Sequence, residues 1–197
     1  SGVLLNGGMT FHPGRGMELL VPVVAAIRRE FNNTPIAVEI TPPQDLNWID
    51  RLRGAGCDSL MMNLECWDED IRRRYIPGKD EACPRELYLQ AFERAIVVFG
   101  RGRVSSCFVC GTEPIKTLKQ GICRIVSLGV IPSPLSGRHF EDVPGYSFKA
   151  RMPWQEFLEV QRFVQEELTA AGLTSTDRAG CITCGMCDMT QDKFKLL

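Results

Sequence analysis

Short apolar runs and amphipathic stretches take turns along almost the whole of this chain, and that alternation narrows the fold more than any other feature. Residues 2–5 read as a strand, and Asn6-Gly7-Gly8 turns the chain. Residues 16–31 then place Leu19, Leu20, Val23, Val24 and Ile27 at helical spacing, with Pro22 assigned to the first turns. The next expected strand covers 36–40 and is closed by Thr41-Pro42-Pro43; a helix over 45–53 and a strand over 59–64 follow. A helical turn over 68–75 precedes a longer helix that Pro84 opens and that runs to Phe99, after which 103–109 forms a strand. The last repeat is a helix over 113–128, a short strand over 129–131 and a loop containing Pro132, Pro134 and Gly137. Pro153 opens a final helix to about Ala171.

Strand, helix and strand in unbroken order imply an α/β fold with a parallel sheet and right-handed crossovers. Roughly five strands are too few for a complete eight-unit barrel. A doubly wound sheet and a partial barrel are both open, and both place functional groups at the carboxyl ends of the strands. Those ends read Asn6-Gly7-Gly8-Met9, Glu39-Ile40-Thr41, Asn63-Leu64-Glu65, Cys110-Gly111-Thr112-Glu113 and Pro132-Ser133-Pro134.

The densest chemical signal lies elsewhere, in Cys181-Ile182-Thr183-Cys184-Gly185-Met186-Cys187. Two residues between thiols let one short loop aim several sulfurs at a common metal centre, with Gly185 permitting a sharp turn. Zinc needs a fourth donor, for which Asp188, His139 and Cys83 are candidates, whereas a 4Fe–4S cluster can be held by three cysteines with one iron open. The spacing favours iron–sulfur; a surface tail of free cysteines is the plain alternative. Of the other cysteines, Cys57 and Cys123 fall at apolar positions and read as core packing. Cys107 and Cys110 share a strand but face opposite sides of it, and Cys66 and Cys83 lie in loops as spare ligands.

Net charge is −1, from 23 basic and 24 acidic residues, so no global field recommends nucleic acid or an anionic membrane as a partner. The apolar run over 19–27 is interrupted by Pro22 and is too short to span a bilayer. No leader pattern opens the chain, and nine cysteines, an odd number with three of them clustered, suit a reducing compartment. A cytoplasmic location is expected. Glu39, at the end of an apolar strand, needs a partner or a ligand amine if it is buried. Arg74 and Lys79 are candidates for binding a carboxylate, with a solvated helical face as the alternative. His12 and His139 have no partner acid in sequence and make no catalytic case.

The five strand-end motifs, in this order, resemble strands two to six of a radical S-adenosylmethionine enzyme, closest to the biotin-synthase-like and lipoyl-synthase-like branches. The resemblance covers residues 1–150 as a partial parallel βα barrel of the TIM type, leaving 151–197 as a C-terminal helix and the Cys-x2-Cys-x2-Cys tail. It implies a 4Fe–4S cluster and S-adenosylmethionine as cofactors, a 5′-deoxyadenosyl radical that abstracts a substrate hydrogen, and an electron donor such as a ferredoxin or flavodoxin. The reaction would be sulfur insertion or another radical step of cofactor biosynthesis, on a small-molecule or peptide substrate.

Residue by residue, the resemblance assigns Gly7 and Gly8 to the turn that meets the amino group of S-adenosylmethionine, Asn63 and Glu65 to its ribose hydroxyls, and Gly111 and Glu113 to the side of adenine. Glu39 joins the mouth of the barrel, and Cys181, Cys184 and Cys187 hold an auxiliary cluster. Met9 stands where many members have an acidic residue. The family's Cys-x3-Cys-x2-Cys loop does not precede Val3, so the expectation is a chain truncated ahead of that loop and inactive in radical chemistry by itself. A non-catalytic α/β binding or assembly module with a structural zinc or iron–sulfur tail is the reading from a different class.

Overall fold

The computed structural model describes residues 2–137, 152–174 and 180. Five strands form one sheet: β1 (Val3–Asn6), β2 (Ile36–Glu39), β3 (Ser59–Met61), β4 (Val104–Cys110) and β5 (Ile131–Ser136). Every pairing is parallel and the order is β1-β2-β3-β4-β5. A doubly wound sheet reverses its strand order at a switch point, and this one never does. Right-handed crossovers that always step the same way leave their helices on one face, which is the construction of a βα barrel.

The connecting helices are α1 (Met17–Glu30), α2 (Asn47–Gly54), α3 (Glu69–Tyr75), α4 (Pro77–Ala82), α5 (Arg85–Phe99) and α6 (Ile115–Leu128), with α7 (Trp154–Ala170) after the sheet. Strand periodicity divides the two faces. Ile36, Val38, Leu60, Val104 and Phe108 join the helix-side core with Val24, Ile49, Leu52, Phe92, Leu118 and Ile122, and α7 adds Val160, Val164 and Leu168. Ala37, Glu39, Ser59, Met61, Ser105 and Cys107 alternate with the core residues along the strands and belong to the opposite face. Gly180 lies against that opposite face, where a Cβ on it would sit 3.3 Å from the Ala37 Cβ and 3.9 Å from the Ser59 hydroxyl.

Helix α1 begins at Gly16, whose φ of +101 is left-handed and whose missing side chain is a packing requirement. A Cβ there would stand 2.5 Å from the Gly8 carbonyl oxygen, so Gly16 lets the turn after β1 close directly onto the helix start. At the other end of the strands, Asp58 accepts from the Ile36 amide at 2.8 Å and from the Arg28 guanidinium at 2.6 Å, fastening α1 to the entries of β2 and β3.

Three local expectations are corrected. Pro132 and Pro134 lie inside β5 rather than in a loop after it. Because β5 pairs only with β4 among the described strands, alternate residues face its open edge, and proline's missing N–H costs no ladder bond there. Pro22, the sixth residue of α1, falls in its second turn, within the first turns as expected, and the helix continues through it. Helix α4 adds a turn between Tyr75 and Pro84 that periodicity does not reveal, since it buries no residue. Cys57 is fully buried, its thiol pushed up to about 12 by desolvation, but Cys123 is exposed on α6.

A candidate cofactor site at the carboxyl ends of the strands

At the carboxyl ends of β1, β2 and β3 a cavity of about 160 Å³ is lined by Asn6, Gly7, Glu39, Ile40, Thr41, Asn63, Glu65 and Lys79. Parallel strands in sequential order bring their ends to one rim, so residues from three separate crossovers meet there. The Gly7 amide donates to the Glu39 carbonyl at 3.0 Å, extending the β1–β2 ladder to the lip of the cavity. A Cβ on Gly7 would meet Leu20 at 3.0 Å and Ile40 at 3.3 Å, whereas one on Gly8 would meet nothing within 4 Å. The first glycine is therefore fixed by packing, whereas Gly8 does not line the cavity and its carbonyl lies against Gly16.

Glu39 and Asn63 are joined across strands: the Asn63 side-chain amide donates to the Glu39 carboxylate at 2.8 Å, and its oxygen accepts from the Cys107 N–H at 3.1 Å. Asn63 thus aims Glu39 as well as facing the cavity itself. Two residues on, Glu65 has a φ of +71, a left-handed conformation that costs a non-glycine residue about 1–2 kcal/mol. It is held there by a second engagement with β4, the Glu65 amide donating to the Cys107 carbonyl at 3.0 Å and the Val109 amide to the Glu65 carbonyl at 2.8 Å. The Glu65 carboxylate accepts from the Lys79 ammonium at 2.6 Å. Two carboxylates and one ammonium leave the cavity wall with an unbalanced negative charge, surrounded by neutral donors and acceptors.

Gly111 has a φ of +90 in the turn after β4 and does not line this cavity. Glu113 is buried and turned the other way, accepting from the Trp67 amide at 2.9 Å and the Asp68 amide at 2.7 Å, where it organises the loop ahead of α3. Asp68 in turn caps α3, accepting from the Asp70 and Ile71 amides. His12 stacks edge-on to Trp48, accepts from the Gly14 amide and stays outside the cavity. The Arg74 guanidinium lies over the Tyr75 ring, leaving Lys79 as the cation at the site. Asn6, Ile40 and Thr41 are the lining residues that sequence reasoning did not put forward as site residues; all three sit at strand ends. Cys181, Cys184, Cys187 and His139 lie outside the described residues. Among those described, no three His, Cys, Asp or Glu side chains are grouped to hold a metal ion, and no helix is long and apolar enough to cross a membrane.

Burial holds the Glu113 carboxyl above its ordinary value, with the Trp67 and Asp68 amides pulling the other way. A raised folded pKa means that the folded protein keeps a proton the unfolded chain has already released. This contribution to stability is complete below the unfolded value of about 4.3 and is lost as pH rises through the folded value. Unfolding free energies of wild type and Glu113→Gln, measured by urea titration across that interval, should converge toward low pH and separate as pH rises, wild type losing more. Parallel profiles would count against a shifted Glu113.

No family model matches the chain. It is 30% identical over 161 residues, 77% of its length, to the bacteriochlorophyllide c C-7(1)-hydroxylase of Chlorobaculum limnaeum. Among solved structures, the coproporphyrinogen III oxidase HemN of Escherichia coli, a radical SAM enzyme, superposes with a TM-score of 0.63 at 14% identity over 92% of this chain. The chain has the fold of the radical S-adenosylmethionine superfamily. HydG, a maturase of the FeFe hydrogenase, superposes with a TM-score of 0.62 at 14% identity over 85% of the chain. The chain spans 39% of the hydroxylase, 45% of HemN and 39% of HydG. The partial parallel barrel expected from the strand-end motifs is the fold these structures share with it.

The superfamily's cofactors are a 4Fe–4S cluster and S-adenosylmethionine. The second of these fits the donor set of the cavity. Its sulfonium and ammonium groups match the surplus of carboxylate, its ribose hydroxyls match carboxylate acceptors, and its carboxylate matches Lys79.

Proposed function

We propose that this chain is part of a radical S-adenosylmethionine enzyme and that the cavity at the ends of β1, β2 and β3 receives the charged end of S-adenosylmethionine. The observation that carries the proposal is the convergence of Gly7, Glu39, Asn63, Glu65 and Lys79 on one polar cavity at the rim of the sheet. At about 160 Å³ the cavity is smaller than the roughly 300–1,000 Å³ of a complete ligand pocket, so it encloses the ribosyl and methionyl portions and not the whole nucleoside.

When bound, a reduced 4Fe–4S cluster and S-adenosylmethionine supply the 5′-deoxyadenosyl radical that abstracts a hydrogen from substrate. The chain's own residues bind and orient. Glu39 meets the ligand's ammonium and offsets its positive charge, Glu65 accepts from ribose hydroxyls, and Lys79 passes from Glu65 to the ligand's carboxylate. The packed helix layer behind the sheet keeps water from the rim on that side. Cys181, Cys184 and Cys187 hold an auxiliary iron–sulfur cluster, with reducing equivalents delivered by a ferredoxin or flavodoxin in the cytoplasm, and the step served is sulfur insertion or another radical step in cofactor biosynthesis.

Isothermal titration with S-adenosylmethionine tests the site. Saturable binding that S-adenosylhomocysteine displaces is expected; absence of saturable binding would overturn the assignment. Anaerobic reconstitution with iron and sulfide tests the tail, where a visible absorption band lost in Cys184→Ala is expected. Stoichiometric zinc with no uptake of iron would refute the auxiliary cluster.

A further inference from the structure

Arg72 is fully buried and does not line the cavity, yet its guanidinium reaches both sides of the ion pair that does. One terminal nitrogen donates to the Leu64 carbonyl, the other to the Cys83 carbonyl at 2.9 Å, and Nε donates to the Asp80 carboxylate at 2.7 Å. Its plane sits over the Tyr88 ring, 5.2 Å from the centroid. Leu64 is the neighbour of Glu65 in sequence, and Asp80 is the neighbour of Lys79.

We infer that Arg72 is the positioning residue of the Glu65–Lys79 pair, and through that pair of the ligand-binding wall; the second half of this inference rests on the function proposed for the cavity. The Leu64 carbonyl and the Glu65 amide belong to one planar peptide unit. Arg72 grips its oxygen while the Cys107 carbonyl accepts from its N–H, so the unit is fixed from both ends and the left-handed Glu65 is held in place. On the other side, the bonds to Asp80 and to the Cys83 carbonyl fix the rotation of α4, whose side chain at 79 then meets Glu65.

A buried guanidinium is tolerated when its donors are met in several directions, and a lysine ammonium lacks the planar fork needed to meet these three acceptors together. Asp80→Asn loosens the α4 arm alone and keeps Arg72.

The test uses Arg72→Lys and Asp80→Asn in the whole chain, both checked for cooperative melting. The readout independent of any ligand is the rate of Lys79 acetylation by acetic anhydride, followed by peptide mass spectrometry and normalised to Lys116, which is exposed on α6. Released from Glu65, Lys79 should react several-fold faster relative to Lys116 in both variants. S-adenosylmethionine should bind Arg72→Lys about tenfold more weakly, the loss expected when a charge-assisted contact is misplaced. A role in stability alone would lower the melting temperature and leave the Lys79 to Lys116 ratio at its wild-type value, which would overturn the inference. Should Arg72→Lys fail to fold, Asp80→Asn decides by the same ratio. A faster Lys79 in a protein whose wild type does not bind S-adenosylmethionine would keep the positioning role and discard the ligand.

Discussion

Replacing Glu39 by alanine should weaken S-adenosylmethionine binding by about ten- to a hundredfold, the range for deleting a charged hydrogen-bonding partner from a partly enclosed site. The carboxylate stands in the cavity wall, oriented by Asn63 at 2.8 Å. Its deletion leaves the fold unharmed for two reasons. The Gly7 amide bonds to the main-chain oxygen of Glu39, which alanine retains, and the released Asn63 amide opens onto the cavity where water can reach it. Glu39→Gln keeps an acceptor for Asn63 and removes the charge, so the two variants together separate electrostatics from hydrogen bonding. Titration calorimetry at constant ionic strength reads both. Wild-type affinity in both variants would remove Glu39 from the site.

Phe108→Ala should cost about 3–5 kcal/mol of stability, the range for truncating a buried aromatic ring. Phe108 is fully buried in β4, lies opposite Pro134 of β5 in register, and bridges Glu65 on its other side. The ring fills the helix-side core behind the cavity rim, so its loss removes packing at the point where Glu65 rejoins the sheet. Urea denaturation followed by circular dichroism measures the loss, with Val97→Ala as the control, since Val97 is 76% exposed and its truncation should change little. A loss below about 1 kcal/mol would mean that the core collapses around the missing ring.

Why so much of the sheet is legible follows from its chemistry. Strands covered by helices are short, apolar and separated by helices of visible periodicity, so Ile36–Glu39 and Val104–Cys110 stand out in the sequence. What escapes periodicity has a local cause. Helix α4 buries nothing and has no apolar stripe to detect. The two prolines of β5 mimic a loop because a sequence does not show which edge of a strand is unpaired.

In the site, Gly7, Glu39, Asn63 and Glu65 were readable because sequential parallel strands deliver their ends to one rim. The direction of the Glu113 carboxylate was not, since its partners, Trp67 and Asp68, lie 46 and 45 residues away. The double duty of Asn63 was hidden for the same reason, its two bonds reaching strands on either side.

Each strand of the sheet has as its neighbours the strands before and after it in the chain, and α1 packs on α2, α2 on α5, α5 on α6 and α6 on α7. Such an arrangement is one-dimensional: every βα unit touches the next, and stability is close to a sum of units and the seams between them, as in a repeat array. Function obeys a different arithmetic. Asn6 and Gly7 come from one unit, Glu39 and Thr41 from a second, Asn63, Glu65 and Lys79 from a third. A single unit can be exchanged with only its seams at risk, but the cavity is a collective property that none of the three possesses on its own.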